Sequence, residues 1–255
     1  MPEPLLLTEA LTRRFGALAA VDGVSLAFEE GRVHAVIGPN GAGKSTFLNL
    51  LSGELRATRG QVRFRGLDVT RATPDELSRL GIGRSYQTAN LFPELSCADC
   101  AWLAAQSRLP SSMRFFRPAE RYAEVGDRAA RALDVCGLSG RRPALAGQLS
   151  YGEQRQLEIA MVLATEPTVL LLDEPLAGLG HDEALRVVDL LRGIARGRTV
   201  ILVEHNLEEV MRICRRLIVL NNGLVIGDGE PRAVMADPVV HDAYVGGGMV
   251  VHAEA

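Results

Sequence analysis

The sequence predicts an α/β fold with a parallel-sheet core, an antiparallel β subdomain and an inserted helical subdomain. Three nearly continuous apolar runs are typical of parallel strands covered on both faces; they are Val33–Ile37, Thr168–Leu172 and Thr199–Val203. Short alternating segments separated by Gly-containing turns indicate antiparallel strands; they are Leu5–Thr8, Val24–Phe28 and Gln61–Arg65. The middle of the chain, from about Phe92 to Ala164, is helical in character. We therefore expect one sheet-and-helix core interrupted by a second lobe.

These elements divide the chain into four parts. Residues 1–87 form the first part of the core with the antiparallel subdomain, and residues 88–160 form the helical subdomain. Residues 161–237 return to the core, where an apolar stripe through Leu185, Val188 and Leu191 predicts a helix over Glu183–Ile194. Residues 238–255 are expected to form a short, glycine-containing C-terminal tail.

The composition is that of a globular protein without a strongly charged surface. Of the 255 residues, 47% are hydrophobic, and 28 basic residues oppose 31 acidic ones for a formal net charge of -3. This balance does not favour nucleic acid as a partner, because nucleic-acid binders carry basic surfaces. No apolar run approaches the roughly 20 residues of a membrane helix, and the first residues lack the basic start of a secretory signal. We therefore expect a cytoplasmic protein without a membrane anchor of its own.

The four cysteines do not have the pattern of a metal site. Cys97 and Cys100 form a C-x-x-C pair, which can mark a redox or zinc site. Zinc would need a second close pair, and Cys136 and Cys214 are far apart in the sequence. Ser96 has the position of a helix cap, with an acid three residues later. We interpret Cys97 and Cys100 as packed residues in the first turn of a helix.

A glycine-rich loop follows the apolar run Val33–Ile37 and precedes a helical pattern over Ser45–Leu51. Gly38–Ser45 fits the pattern G-x-x-x-x-G-K-[ST] of a P-loop. Its glycines let backbone N–H groups converge on phosphate oxygens, and the helix start directs its positive end at the same anion. Lys44 would contact the β and γ phosphates, and Ser45 would bind Mg²⁺. The expected nucleotide-binding residues are Gly38, Pro39, Asn40, Gly41, Ala42, Gly43, Lys44, Ser45 and Thr46.

Two acids end the second buried run. Asp173 and Glu174 directly follow Val169–Leu172, and ligands of open α/β sheets bind at the carboxyl ends of their strands. Asp173 is suited to Mg²⁺, through a water molecule. Glu174 is suited to be the general base that polarises the attacking water. Together with the loop, these residues predict a P-loop nucleotide hydrolase or kinase.

The segment Leu149–Gln154, which reads LSYGEQ, narrows the class. It resembles the LSGGQ signature of the ATP-binding cassette (ABC) ATPases, and the resemblance covers about Leu5 to Gly246. In that family the signature of one subunit closes over the ATP held by the loop of another. The resemblance implies that ATP is the nucleotide and that Ser150 and Gly152 bind ATP held by a second subunit. A serine hydroxyl and a glycine backbone at a helix start are suitable donors to a phosphate.

Three further residues take their roles from this resemblance. Gln87 matches the Q-loop glutamine that touches Mg²⁺ and the attacking water. His205 matches the switch histidine on the γ-phosphate, and Phe15 occupies the position of an aromatic residue that stacks on adenine. An aromatic residue in an early strand is also commonly a core residue. The resemblance therefore implies catalytic roles for Glu174, His205, Gln87 and Lys44, and metal binding by Ser45, Gln87 and Asp173.

The chain departs from the family pattern at three positions. Tyr151 and Glu153 replace the usual Gly and Gln of the signature. Gly180, in the D-loop after the acidic strand, stands where many relatives carry Asp or Asn. Because this side chain is missing, we expect weakened coupling between the two subunits.

Several segments resemble the ATPases of branched-chain amino acid importers and their urea and short-chain amide relatives. These segments are Leu149–Arg155, Leu157–Ala160, Pro175–Leu179, Val203–Asn206, Arg108–Arg121 and His241–Gly246. The resemblance implies a dimer, with itself or with a paralogue, a membrane permease as partner and, indirectly, an extracytoplasmic solute-binding protein. The ATPase would lie on the inner face of the membrane. The lobe near Gln87–Leu95 would press on the permease, with Arg84 and Phe92 as candidate contacts, although Phe92 is equally compatible with core packing.

Two other functions are compatible with parts of the sequence. A soluble ABC ATPase that acts as an ATP-gated clamp would keep the same catalytic residues, although such proteins usually carry two cassettes or long coiled coils. A small-molecule kinase would place its acceptor in the middle lobe, and it leaves LSYGEQ and His205 unexplained. The residues do not identify the solute.

Overall fold

The computed structural model describes residues 4–85, 91–108 and 119–245, and the strands of these residues form two sheets. The strands are β1 (Leu6–Phe15), β2 (Leu18–Phe28), β3 (Val33–Ile37), β4 (Arg59–Phe64), β5 (Leu67–Asp68), β6 (Ile82–Arg84), β7 (Val169–Asp173), β8 (Thr199–Val203), β9 (Arg216–Asn221) and β10 (Leu224–Gly229). A four-stranded antiparallel sheet has the order β2-β1-β4-β5. A six-stranded sheet has the order β10-β9-β3-β8-β7-β6 and is parallel except for β10. The predicted α/β class with an antiparallel subdomain is confirmed.

Helices join and cover these strands. They are α1 (Lys44–Leu51), α2 (Pro74–Leu80), α3 (Cys97–Gln106), α4 (Ala119–Val135), α5 (Tyr151–Ala164), α6 (His181–Ile194), α7 (Leu207–Ile213), α8 (Pro231–Met235) and α9 (Pro238–Val245). Helices α3, α4 and α5 pack against one another between β6 and β7 in the chain, where the helical insertion was predicted. The expected C-terminal tail contains α9. The residue boundaries of the four predicted parts stay predictions, and residues 109–118 and Gly246 lie outside the described residues.

The three predicted parallel strands occur in the core sheet. Strands β3 and β8 have the predicted bounds, and β7 is shifted by one residue to include Asp173. Every residue of the three strands is buried. Their continuous apolar runs identified them because both faces of the sheet are covered.

Strands β1 and β2 are longer than the alternating segments predicted. They form a hairpin through the turn at Gly16, and their register shifts between Thr8 and Leu11 and again around Arg13. Ala10 has a positive φ of 46° at the first irregularity. A bulge adds a residue to one strand and reverses the side-chain alternation, so the pattern in the sequence ended before the strand did.

Strand β7 separates two clusters of buried apolar side chains. Leu170 and Leu172 face a cluster that includes side chains of the helical lobe. Val169 and Leu171 face the other cluster, which includes side chains of the antiparallel sheet and α1. Each buried leucine contributes about 1.5–3 kcal/mol. This packing on both faces fixes the carboxyl end of β7, where Asp173 ends the strand and Glu174 begins the next turn.

Helix α3 begins as predicted, with its two cysteines in the first turn. The Ser96 hydroxyl accepts a hydrogen bond from the Asp99 N–H at 3.1 Å. Cys97 and Cys100 are buried free thiols, and burial raises the pKa of both. Across residues 4–85, 91–108 and 119–245, none of the helices is long and apolar enough to cross a membrane.

Candidate nucleotide site

The loop between β3 and α1 requires glycine at two positions. Gly38 has a φ of 152°, and a Cβ there would lie 2.0 Å from the Leu220 carbonyl oxygen. Gly43 has a φ of 100°, and its Cβ would lie 2.1 Å from the Ala20 carbonyl oxygen. Side chains larger than hydrogen are excluded by backbone on both sides, so these glycines hold the loop between β9 and β2. The structure thereby places the predicted residues Gly38–Thr46 in one loop and the first turn of α1.

Lys44 lies at the first residue of α1, and its side chain folds back over the loop. The Nζ atom donates to the carbonyl oxygens of Gly38 at 2.7 Å and Pro39 at 3.0 Å. Burial lowers the pKa of Lys44, while the nearby carboxylates of Glu174 and Asp173 oppose this shift. Lys44 is the only lysine in the sequence. The two hydrogen bonds hold the Lys44 amine over the glycine loop.

Asp173 is a buried carboxylate at the end of β7. Burial raises its pKa, although Arg84, whose Nη2 lies 3.5 Å from Oδ2, lowers it in part. Oδ1 is also buried, with no hydrogen-bond partner among the described residues. An ionised carboxylate with an unpaired oxygen is costly unless a cation or a bound water completes it. Asp173 and the exposed Ser45 in the first turn of α1 therefore fit a hydrated divalent cation, which prefers oxygen ligands.

Glu174 and His205 meet where β7 and β8 end. The Glu174 Oε1 and His205 Nδ1 atoms are 3.8 Å apart, and the His205 side chain is half exposed. Glu174 has a positive φ of 49°, and its N–H donates to the Val203 carbonyl at 2.9 Å. The two strands are adjacent and parallel, so their carboxyl ends bring these residues together. The carboxylate and the imidazole can act on one substrate group.

The LSYGEQ segment forms the start of α5. The Ser150 hydroxyl accepts from the Glu153 N–H at 3.2 Å, and the Glu153 carboxylate accepts from the Ser150 N–H at 3.0 Å. Arg141 binds Glu153 at 2.7 Å, and the Tyr151 ring packs on Gly178 of the D-loop. Ser150 is exposed at the helix N-terminus. In the described part of the chain, no hydrogen bond joins Ser150 or Gly152 to the glycine loop of the same subunit.

Of the two remaining predicted site residues, Phe15 belongs to the described part of the chain. Phe15 ends β1 with 46% of its surface exposed, so it is not the core residue that the alternative required. The Arg13 guanidinium lies 4.6 Å from the centre of the Phe15 ring. The exposed ring lies at the end of β1, which pairs with β2, the strand whose Ala20 carbonyl oxygen is close to Gly43. Gln87 lies outside the described residues.

A family model described as ABC transporter matches residues 21–177. The chain belongs to the ABC transporter family. The branched-chain amino acid transport ATP-binding protein BraF of Pseudomonas aeruginosa is 38% identical over 96% of this chain and 99% of the relative. The lipopolysaccharide export ATP-binding protein LptB of Acidithiobacillus ferridurans is 35% identical over 95% of this chain and 97% of the relative.

Solved ABC cassettes have the same fold. The ADP conformation of the cassette MJ1267 gives a TM-score of 0.83 at 33% identity, covering 95% of this chain and 98% of that chain. The dimeric cassette MJ0796 gives a TM-score of 0.75 at 26% identity, covering 89% and 99%. This protein is therefore an ATP-binding, ATP-hydrolysing ABC subunit, as predicted. The soluble clamp and the small-molecule kinase gain no support.

Sequence reasoning missed two charged residues that the structure packs beside Asp173 and His205, which are Arg84 and Glu204. Arg84 was expected to face a permease, but its side chain is 9% exposed and pairs with Asp173. Glu204 is fully buried and accepts hydrogen bonds from the N–H groups of Leu176 at 2.7 Å and His205 at 3.2 Å. Burial raises the pKa of Glu204. Their positions at strand ends next to Gln87 and His205 were the available signal, because charges there are seldom left without a partner.

Proposed function

We propose that this ABC subunit drives the import of branched-chain amino acids or a related small polar solute through a separate membrane permease. The observation that carries the catalytic part is the pair of Glu174 and His205 beside Lys44 and Asp173. The resemblance to BraF across almost the whole chain supports the class of solute. The subunit would sit on the cytoplasmic face of the membrane, held there by the permease.

The chemistry is hydrolysis of the bond between the β and γ phosphates of ATP. Backbone N–H groups of the loop and the Lys44 amine bind the phosphates, and Phe15 stacks on adenine. Glu174 accepts a proton from the water that attacks the γ-phosphorus, while His205 orients the γ-phosphate. Bound Mg²⁺ would neutralise charge on the phosphate oxygens, with Ser45, Asp173 and Gln87 as its expected residues. ADP leaves as the bond breaks.

Closure of two subunits completes each site. Ser150 is exposed at the start of α5, Gly152 is buried two residues later, and among the described residues neither has a hydrogen bond to the glycine loop of its own subunit, so we propose that they bind ATP held by a second subunit. The similarity to the dimeric cassette MJ0796 supports this arrangement. Closing two subunits on ATP excludes water from the phosphates and commits the substrate. The second subunit is another copy of the chain or a paralogue, and a solute-binding protein would deliver the solute to the permease.

The variant Glu174→Gln tests the assignment of the base. It should bind ATP normally but turn over about 100-fold more slowly, because general-base catalysis contributes about 10²–10⁴-fold. An ATP-bound dimer should accumulate and elute at twice the subunit mass. Since Lys44 is the only lysine, protection of its side-chain amine from acylation measures ATP binding in the wild type and in Glu174→Gln.

The matched control for this test is Glu166→Gln, which removes a carboxylate from a surface pair with Arg128 and Arg131. Its turnover should equal that of the wild type. Unchanged turnover in Glu174→Gln would remove Glu174 as the base.

Export is the second candidate direction, because LptB is nearly as similar to this chain as BraF. Reconstituted vesicles distinguish the two. ATP supplied on the side of the ATPase should accumulate a branched-chain amino acid on that same side if the complex imports. Extraction of lipopolysaccharide from the vesicles would favour export.

A further inference from the structure

We propose that Arg155 is a positioning residue that holds the backbone of Glu174 and connects the signature helix to the base of the same subunit. Arg155 lies on α5, five residues after Ser150, and only 5% of its surface is exposed. The proposal rests on the assignment of Glu174 as the base. It concerns what keeps that base in place.

The Arg155 guanidinium binds three consecutive backbone carbonyls. Its Nη2 donates to the carbonyl oxygens of Asp173 at 3.1 Å and Glu174 at 2.5 Å, and its Nε donates to Pro175 at 3.2 Å. A planar fork of donors can satisfy several acceptors at once, which a lysine amine cannot do in the same geometry. The turn after β7 is therefore fixed from the side of α5.

This turn needs external support because Glu174 has a φ of 49°. Non-glycine residues keep such a conformation only where the surrounding structure determines it. The Glu204 carboxylate holds the Leu176 N–H from the other side of the turn. Arg155 and Glu204 thus fix the direction in which the Glu174 carboxylate leaves the backbone.

Glu158 keeps Arg155 in this position. Its Oε2 accepts from the Arg155 Nη1 at 2.6 Å, one helical turn along α5. Both side chains are buried, so neither charge is stable without the other. Because Ser150 and Arg155 belong to one helix, a shift of α5 when the signature engages a partner's ATP moves the carbonyls that position Glu174.

The test is a set of variants of the full chain, assayed for ATP turnover and for amide hydrogen exchange. The double variant Arg155→Met with Glu158→Gln removes both charges together and should fold, because no buried charge is left unpaired. Its kcat should fall at least about tenfold, while the KM for ATP changes by less than about threefold, as expected when a transition-state contact is lost. The Leu176 and Ala177 amides should exchange faster, with the rest of the sheet unchanged.

Two further variants separate positioning from folding. Arg155→Lys keeps the charge beside Glu158 and should recover only part of kcat. Glu158→Gln removes the support of Arg155 but none of its donors to the carbonyls, so its kcat should fall by less than that of the double variant. If the double variant fails to fold, a wild-type kcat in Arg155→Lys overturns the proposal.

The matched control is Arg198→Gln. Arg198 also donates to a backbone carbonyl next to β7, that of Pro167 at 3.1 Å, but Pro167 precedes the strand whereas Glu174 follows it. Its kcat should not change. A folded double variant with wild-type kcat, or an equal loss in Arg198→Gln, overturns the proposal. An inactive wild type or a fully active Glu174→Gln would instead overturn the assigned catalysis, so the two failures are distinguishable.

Discussion

At the residue scale, the site contains buried carboxyl groups, and only neighbouring residues offset the free energy that their desolvation costs. Asp173 and Glu204 are buried, and desolvation raises the pKa of each. A carboxyl group with a raised pKa in the folded state destabilises the fold when it ionises. The two carboxyl groups therefore lower the stability of the fold, but Asp173 is available to a cation and Glu204 holds the turn that carries Glu174.

Replacing Asp173 with Asn should stabilise the protein without nucleotide at pH 8, because the desolvation that raises the pKa of Asp173 outweighs its attraction to Arg84. The folded pKa is raised, so the stability cost of ionisation begins near the ordinary Asp pKa of about 4 and grows as pH rises through the folded value. The gain should therefore shrink toward pH 4. Thermal unfolding from pH 4 to pH 8 measures it.

The control for this prediction is Asp127→Asn, since Asp127 is exposed on α4. It should not change stability at any of these pH values. Adding ATP with Mg²⁺ should stabilise the wild type but not Asp173→Asn. A gain that does not vary with pH would contradict the explanation by desolvation.

At the element scale, the starts of α5 and α6 explain how this chain departs from its family. Glu153 closes a reciprocal cap with Ser150 and also binds Arg141, so the Glu at this signature position stabilises the helix start. Gly180 begins α6 in an extended conformation, with φ −67° and ψ 161°, and its N–H donates to Glu183 at 3.3 Å. Gly180 itself therefore supplies no capping side chain to α6, whose start is capped by Glu183.

Gly180→Asp should strengthen the coupling between the two nucleotide sites. A Cβ at Gly180 would have its nearest neighbour at 4.0 Å, and the backbone already has the conformation of an N-cap residue, so an Asp fits without strain. We expect greater ATPase cooperativity, read as a higher Hill coefficient. The cap itself adds only a few tenths of a kcal/mol relative to Gly.

Gly197→Asp is the comparison for this variant, because a Cβ at Gly197 also has open space and lies outside the D-loop. It should leave cooperativity unchanged. An unchanged Hill coefficient in Gly180→Asp would mean that the glycine does not weaken coupling.

At the scale of the whole molecule, the predicted site residues of one subunit fall into two groups. The loop, Asp173, Glu174 and His205 lie at the carboxyl ends of the core strands, whereas Ser150 lies at the exposed start of α5. The proposed function needs a second subunit to bring Ser150 to ATP and a permease to use the closure. Phe92 is 51% exposed and remains a candidate for the permease contact, unlike Arg84.

Mass spectrometry of proteins that co-purify with this chain from mild-detergent membrane extracts should identify a multi-span permease. A sister ATPase in the same complex would show that the dimer is heteromeric, because the two nucleotide sites would then belong to different chains. A Ser150→Ala chain should still recover the permease, since Ser150 is proposed to face the other ATPase. Recovery of ribosomal or DNA-repair proteins alone would contradict the transport function.

The sequence by itself determined the loop, the acidic strand end, the signature and their order. These features could be predicted because each depends on a local pattern, such as the glycine spacing of Gly38–Ser45 or the apolar run before Asp173. The same local reasoning found β3 and β8 but not the full length of β1, whose bulges interrupt the alternation. The site residues Gln87 and Phe15 depended on family resemblance instead.

Only the tertiary structure decided which charges support the site. Arg84 reaches Asp173 across 89 residues, Glu204 reaches Leu176 across 28, and Arg155 reaches Pro175 across 20. The local pattern around Arg155 does not distinguish it from an exposed charge on a helix, and for Arg84 and Glu204 the pattern gives only their positions at strand ends. A charge becomes buried and paired through the packing of distant segments, and that packing assigns Arg155 to the backbone of Glu174.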